Sequence, residues 1–301
     1  MTTPFSTTLP SPDDIEMIVC DVDGTLLTTD HVVHPRTLSA FAALRAARPR
    51  LPIVIASGKQ YSSCDNVRSA LQLSDDFPAI HAHGALLHHG NGDLIEARRL
   101  DLTALLTIAD RMQGRGTFVF RADDTILIND EPGKDWVTIA KKYDKKVEDY
   151  SAAAEREAFF ERIRRGEEPI VKLTICTETH NSEALISELE KIQRELTTSA
   201  KPTFHITRAI PWIIEIVAPE INKRAAVEAL CAQRGIDISK VAAFGDGDND
   251  AMMLEAVGHG VAMGNAMPEP RRRANHVTLT NNEGGVGAFL NAVYGFQDYD
   301  A

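Results

Sequence analysis

Asp21 and Asp23 stand two residues apart directly after the apolar run Met17-Ile18-Val19-Cys20, with Gly24 and Thr25 behind them. In an extended chain residues i and i+2 point the same way, so both carboxylates face one cleft. Glycine then lets the backbone turn at once. Two like charges so close disfavour joint ionisation unless a divalent cation lies between them or one carboxyl keeps its proton. The chemistry implied is metal-supported or general-acid catalysis. The plainer reading is a pair of loop aspartates capping the next helix.

A second acidic stretch, Gly245-Asp246-Gly247-Asp248-Asn249-Asp250, follows the apolar Val241–Phe244 and opens a helical pattern. A helix N-terminus attracts negative charge, but one aspartate is enough to cap it. Hard oxygen donors on a glycine-rich turn suit Mg2+, which takes one or two carboxylates and keeps waters or phosphate oxygens elsewhere. The spacing is not that of a Ca2+-binding EF-hand loop, because no Glu occupies its twelfth position. Ser57 with Gly58 and, much later, Lys223 fall at strand-to-helix junctions, where a hydroxyl, an open amide and a point charge can hold an anion. Taken singly, Ser57 reads as an N-cap and Lys223 as a solvated lysine.

The elements around these residues alternate. Met17–Cys20 and Leu51–Ala56 read as buried strands, Pro35–Ala47 and Tyr61–Leu71 as helices. This order predicts an α/β fold, a Rossmann-like parallel sheet with helices on both faces and ligands at the carboxyl ends of its strands. The rhythm breaks after His83-Gly84: Leu86-Leu87 and Leu94-Ile95 flank Gly90-Asn91-Gly92-Asp93 as a hairpin. A helix near Asp101–Met112, β-rich segments at Thr117–Arg121, Thr125–Ile128 and Pro169–Thr177, and a helix at Ser182–Leu196 make an inserted α+β domain. Alternation resumes with Trp212–Val217, a helix from Lys223 to Arg234, the strand Val241–Phe244 and the helix Asp250–Val257. The expected organisation is a flexible N-terminal arm at 1–14, a core from 15–85 and 216–301, and an insert at 86–215.

Composition narrows the function class. In 301 residues, 44% are hydrophobic and 25% charged, the balance of a folded globular chain. The net charge of −11 disfavours nucleic-acid partners, and Arg271-Arg272-Arg273 is the one basic run that could oppose it. Cys20, Cys64, Cys176 and Cys231 form no C-x-x-C pair, so reduced, buried thiols are expected. No apolar run reaches the roughly 18 residues of a membrane span. The first residues carry neither the apolar stretch of a secretion signal nor an arginine for a transit peptide, so a cytoplasmic, membrane-free protein is expected.

In order along the chain, Asp21-Val22-Asp23-Gly24-Thr25, Ser57-Gly58, Lys223 and Gly245-Asp246-x-x-Asn249-Asp250 resemble the four motifs of the haloacid-dehalogenase-like phosphohydrolases. The tail, with Asp250-Ala251-Met252-Met253-Leu254, Gly260-Val261-Ala262-Met263-Gly264-Asn265-Ala266 and Gly284-Gly285-Val286-Gly287, is similar to the Cof-type branch, which carries a large C2-type cap between the second and third motifs. The resemblance implies a two-step phosphoryl transfer. Asp21 would attack phosphorus and form an aspartyl-phosphate, while Asp23 would protonate the leaving oxygen and later deprotonate water. Thr25, Ser57 and Gly58 would bind the phosphoryl oxygens, Asn249 would reach the phosphate, and Lys223 would balance charge. Mg2+ would be held by the Asp21 carboxylate, the Asp23 backbone carbonyl and Asp246, with Asp250 bound directly or through water.

The implied substrate is a small phosphorylated metabolite, often a sugar phosphate, acted on by a monomer or homodimer. Two departures bear on it. Relatives often show Thr-Gly-Arg where this chain has Ser57-Gly58-Lys59, and Asn-Gly-Ala where it has His83-Gly84-Ala85. Arg121, Lys172 and Trp212 are candidates for cap contacts, while Lys141-Lys142 and Lys145-Lys146 read as hydrated surface. His81, His83, His88 and His89 could gather a metal, but strand alternation and a surface hairpin explain them more simply. The competing readings are a phosphosugar mutase of the same superfamily and a non-catalytic phosphometabolite-binding protein. Both Asp21 and Asp23 being present weighs against the last.

Overall fold

The computed structural model describes residues 8–177, 182–198, 202–210 and 212–297. Its first elements are β1 (Met17–Cys20), α1 (Pro35–Ala47), β2 (Ile53–Ala56), α2 (Asp65–Ala70), β3 (Ala79–His81), β4 (Leu86–His88) and β5 (Leu94–Ala97). Then come α3 (Leu102–Arg111), β6 (Thr117–Arg121), β7 (Asp124–Asn129), α4 (Trp136–Ala140), β8 (Val147–Asp149), α5 (Ala153–Arg164), β9 (Ile170–Cys176), α6 (Ser182–Leu196), β10 (His205–Ile210) and β11 (Ile213–Val217). The chain closes with α7 (Lys223–Arg234), β12 (Val241–Gly245), α8 (Ala251–Ala256), β13 (His259–Ala262), α9 (Pro268–Arg273), β14 (His276–Val277) and α10 (Gly285–Tyr294).

Two compact units result, one running to Ile95 and resuming at Asn222, the other spanning Glu96–Ile221. In the first, the described strands form a sheet in the order β14-β13-β12-β1-β2-β3-β4-β5. It is parallel from β14 to β3, and β4 returns antiparallel to β3. Period-two alternation divides β1 between the two faces. Ile18 and Cys20 pack with Phe41, Leu44 and Phe289 from α1 and α10, whereas Met17 and Val19 pack with Val227, Leu230 and Met253 from α7 and α8. Each large side chain buried in this way contributes about 1.5–3 kcal/mol. Pro35 suits the first turn of α1, whose N-cap His34 accepts a hydrogen bond from the Arg36 N–H. Asn222 caps α7 in the same manner, and Gly235 ends it at φ +66°.

The second unit is a six-stranded sheet in the order β10-β11-β9-β6-β7-β8, antiparallel except where β7 meets β8. Val119, Ile126, Leu173, Ile175 and Ile214 on one face pack against a helical layer whose inner stripe includes Leu105, Phe159, Leu185 and Leu189.

The observed division differs from the one expected at 85/86 and 215/216. β4 stays with the first unit because it pairs with β3, and β11 finishes in the second sheet, pairing with β9. Of the arm expected at 1–14, residues 1–7 lie outside the described residues. Pro12–Asp14 form a 3-10 turn, the Ser11 N–H donates to the Asp14 carboxylate at 2.9 Å, and Arg48 donates to the Pro12 carbonyl at 3.2 Å. The four cysteines are buried and free of disulfides. Arg272 and Arg273 of the basic run pair with Glu269 and Glu255. Among the described residues, no helix is long and apolar enough to cross a membrane.

Candidate active site

β1 stops at Cys20 and β12 at Gly245, with Cys20 in register opposite Phe244. The Asp21 N–H donates to the Phe244 carbonyl at 3.0 Å, so Asp21 and Asp246 leave the sheet side by side. Ser57 leaves β2 on the other flank of β1, and Lys223 is the first residue of α7. The parallel strands thus deliver residues from distant stretches of chain to one edge, as their common direction requires.

Lys223 is the centre of the charge arrangement. Its side chain is 0% exposed, and Nζ donates to Asp21 Oδ1 at 2.5 Å and to Asp250 Oδ1 at 2.6 Å. The other Asp250 oxygen accepts from the Asp246 and Gly247 N–H groups at 3.1 and 3.0 Å, fixing the turn that presents Asp246. Thr25 Oγ1 donates to Asp246 Oδ1 at 3.1 Å. One oxygen from each of Asp21, Asp246 and Asp250 lies within 4.8 Å of the others.

Burial and crowding tune these groups. Loss of solvent pushes the Asp21 carboxyl up to about 7; Lys223 opposes the rise, and Asp250 and Asp246 add to it. Asp246 is pushed up to about 6 by burial first and Asp250 second. Burial alone would lower the Lys223 ammonium, but the two carboxylates beside it outweigh that and hold it raised. Three carboxylates against one ammonium leave a net charge of −2 when all are ionised, which a dication cancels. The donors are all hard oxygens, and a Cβ at Gly24, where φ is +79°, would collide with the Asp246 carboxylate. The residues present therefore fit a divalent cation of the Mg2+ class.

The remaining candidates surround this centre. Asp23 is exposed, and its carboxylate pairs with Lys59 Nζ at 2.7 Å. Ser57 is buried, its Oγ accepting from the Lys59 N–H at 3.1 Å. Asn249 is exposed, with Nδ2 3.3 Å from His83 Nδ1. A Cβ at Gly58 would strike the His83 ring, so Gly58 lets that imidazole pack on the backbone. Ala82, His83 and Gly84 all have positive φ, at 49°, 60° and 105°. A Cβ at Gly84 would stand 2.5 Å from the Asn222 carbonyl oxygen, so the strained turn abuts the start of α7.

Three contacts escape a reading of the sequence alone: Lys59 on Asp23, His83 on Asn249, and Asn265, whose Nδ2 donates to the Gly24 carbonyl at 2.8 Å and to Asp246 Oδ2 at 3.3 Å. Lys59 and His83 carry a signal as the two motif departures, and Asn265 as part of Gly264-Asn265-Ala266 in the tail, but none of the three signals names the partner. Among the described residues, Asp21, Asp246 and Asp250 are the one group of three or more such side chains placed to hold a metal, and the histidines form none. His81 lies on a buried strand, as the alternation predicts, and His88 is buried too, in contrast to the expected surface hairpin; they pack against Tyr61 at 5.5 and 5.2 Å between ring centroids. In the second unit Arg121 is paired with Asp124, Glu148 and Glu168, and Lys172 with Glu215 at 2.6 Å.

The model of a haloacid dehalogenase-like hydrolase matches residues 18–290. An uncharacterized hydrolase of Schizosaccharomyces pombe is 30% identical over 294 residues, covering 95% of this chain and 93% of its own. The 5-amino-6-(5-phospho-D-ribitylamino)uracil phosphatase of Bacillus subtilis is 27% identical over 281 residues, covering 91% and 96%. A haloacid dehalogenase-like hydrolase from Bacteroides thetaiotaomicron has the same fold, with TM-score 0.74 at 21% identity over 93% of this chain and all of that one.

Proposed function

The chain belongs to the haloacid dehalogenase-like hydrolases, and from that premise we propose a Mg2+-dependent phosphatase of small phosphorylated metabolites, with sugar phosphates the first class to test. The observation that carries this reading is the buried Lys223 ammonium joined to both Asp21 and Asp250, next to an Asp246 carboxylate aimed at the same space. A capping role needs neither the buried lysine nor three converging carboxylates.

Asp21 is the nucleophile. One of its carboxylate oxygens forms a bond to phosphorus as the bond from phosphorus to the substrate's leaving oxygen breaks. Asp23 supplies the proton that the leaving oxygen takes up. It then removes a proton from the water that attacks the aspartyl-phosphate, releasing phosphate and restoring the Asp21 carboxylate. Lys223 holds Asp21 in place and offsets its charge. Thr25, Ser57, the Gly58 amide and Asn249 bind the phosphoryl oxygens. Asp21, the Asp23 backbone carbonyl and Asp246 would hold the cation, with Asp250 supporting them, and the bound ion would supply charge neutralisation and Lewis-acid polarisation of the phosphoryl group.

Electrostatic stabilisation must dominate, because phosphomonoester hydrolysis needs accelerations up to ~10²¹-fold and acid–base help contributes only ~10²–10⁴-fold. The test is phosphate release from a panel of sugar phosphates with Mg2+ and with a chelator. Chelator-sensitive release without an isomeric sugar phosphate supports hydrolysis. Isomer formation would move the assignment to a mutase, and no release from any phosphomonoester would overturn it.

A further inference from the structure

Three asparagines of the C-terminal stretch hold the loops that leave β1 and β12. Their arrangement starts at Gly264, where a Cβ would stand 2.6 Å from the Thr280 nitrogen, so glycine lets the segment after β13 lie against Leu279 and Thr280. The Gly264 N–H donates to the Leu279 carbonyl at 2.9 Å. Asn265 is thereby set against the next turn, and its Oδ1 accepts from the Asn281 N–H at 2.9 Å. That turn is braced, since the Glu283 carboxylate accepts from the Thr280 N–H and hydroxyl at 3.1 and 2.6 Å. Buried Asn281 donates from Nδ2 to the Leu27 carbonyl at 2.8 Å, and Asn282 Oδ1 accepts from the Thr29 N–H at 2.9 Å.

With Oδ1 engaged, the Asn265 amide has one orientation. Nδ2 donates to the Gly24 carbonyl at 2.8 Å and to Asp246 Oδ2 at 3.3 Å, one hydrogen for each acceptor. A flipped amide would set an oxygen against two oxygens. Asn265 therefore ties the turn behind Asp23 to the side chain of Asp246. Asp246 needs such a tie. One oxygen each of Asp21, Asp246 and Asp250 lies within 4.8 Å of the others, and like charges so near drive Asp246, the least buried of the three, towards solvent. Lys223 bonds to Asp21 and Asp250 instead. Thr25 donates to Asp246 Oδ1, but a hydroxyl has a single hydrogen, and a Thr25 that donates to a phosphoryl oxygen gives up Asp246. The Asn265 amide remains, a neutral donor that fixes the carboxylate without offsetting the charge a cation would meet.

We propose that Asn265 is a positioning residue of the cation site, holding the Asp246 carboxylate and the turn that carries the Asp23 carbonyl in the arrangement that binds Mg2+. The proposal rests on the phosphatase reading for the ion and for the role of Thr25. It concerns capture of the ion, not a chemical step.

Binding is measured without turnover, by titrating the full-length, metal-free chain with Mn2+, which takes the same oxygen ligands, and following the paramagnetic resonance of the free ion. Asn265→Ala should weaken Mn2+ binding roughly 10–100-fold, the usual cost of removing the hydrogen-bond partner of a metal-ligating group. The unfolding midpoint of the metal-free chain should move little, because Asn265 is exposed. Asn282→Ala is the control: it releases the same loop at Thr29 without removing a donor to Asp246, so its affinity should match the parent's. Equal affinity in Asn265→Ala and the parent overturns the proposal. So does an equal loss in Asn282→Ala, which would mean that any slackening of the loop suffices. Should Asn265→Ala fail to fold, Asn265→Ser, whose single hydroxyl hydrogen cannot serve both acceptors, is read by the same criteria. In steady state, the Mg2+ concentration for half-maximal phosphate release should rise in Asn265→Ala, with kcat and KM at saturating Mg2+ near the parent's. A lowered kcat that excess Mg2+ does not restore overturns the positioning role. Weakened Mn2+ binding in Asn265→Ala, from a parent that hydrolyses no phosphomonoester, would sustain the role of Asn265 and count against the phosphatase reading. No Mn2+ binding by the parent would overturn both.

Discussion

Lys223 Nζ lies 2.5 Å from Asp21 Oδ1, and no part of the lysine side chain reaches solvent. A cation so placed is held by its partners, and they are held by it. Lys223→Met would leave Asp21 and Asp250 buried without their counter-charge, a class of change that costs about 3–5 kcal/mol. Urea unfolding of the metal-free protein near pH 8 measures this. A loss no greater than the ~1 kcal/mol of an exposed ion pair would show that the lysine is not needed to hold the two carboxylates together.

Asp21→Asn separates catalysis from stability. The amide cannot form the acyl-phosphate, so turnover should vanish. The same change removes one of three converging negative charges, so the metal-free variant should be at least as stable as the parent above pH 7. Persistent turnover would refute the nucleophile assignment, and a markedly lower unfolding midpoint would refute the electrostatic one.

The raised carboxyls of Asp21, about 7, and Asp246, about 6, give a pH dependence with a definite sign. Between the unfolded carboxyl range near 4 and these values, the native metal-free protein binds protons that the unfolded chain has released. The stability of the metal-free protein therefore falls as pH rises through that window. Added Mg2+ competes with the same protons, so its stabilising effect should grow as pH rises from 5 to 8. Thermal unfolding with and without Mg2+ across that range tests this. An upward shift in the unfolding temperature that is independent of pH would show that these carboxylates are not the ligands.

Why some of this is legible in the sequence and some is not follows from separation along the chain. Asp21 and Asp246 are legible because each follows a short apolar run that can only be a buried strand, and parallel strands send their ends to one edge. The full burial of Lys223 is not, because a lysine opening a polar helix looks the same whether or not two carboxylates wait beneath it. The Lys59–Asp23 pair spans 36 positions and the His83–Asn249 contact 166, distances over which no periodicity speaks. In the second unit α5 is also obscure, since Phe159, Phe160 and Ile163 are its buried residues among many charges.

Lys59 reaches Asp23 across the mouth of the site at 2.7 Å, with side chains 31% and 48% exposed. An ion pair that open contributes less than ~1 kcal/mol, so Lys59→Met should barely alter stability. If Lys59 sets the position of Asp23, the same variant should lower kcat by roughly ten- to hundredfold. The loss should be greatest for substrates whose leaving oxygen needs a proton and small for p-nitrophenyl phosphate, and Lys59→Arg should restore most of it. An equal loss with both kinds of leaving group would assign Lys59 to phosphate binding instead.

Gly24 tests the metal site through the backbone. Its φ of +79° is one that side chains rarely adopt, and a Cβ there would overlap the Asp246 carboxylate. Gly24→Ala therefore combines left-handed strain of about 1–2 kcal/mol with displacement of a proposed metal ligand. Gly114 supplies the control, since its φ is +80° and a Cβ there would meet nothing within 4 Å. Gly114→Ala should lower the unfolding midpoint by the strain alone, and Gly24→Ala by at least as much. Only Gly24→Ala should also need more Mg2+ to reach half-maximal activity and half-maximal thermal shift. If the two variants respond to Mg2+ alike, the Asp246 side chain is not where the cation binds, and the position of that carboxylate must be explained by its hydrogen bonds to Thr25 and Asn265.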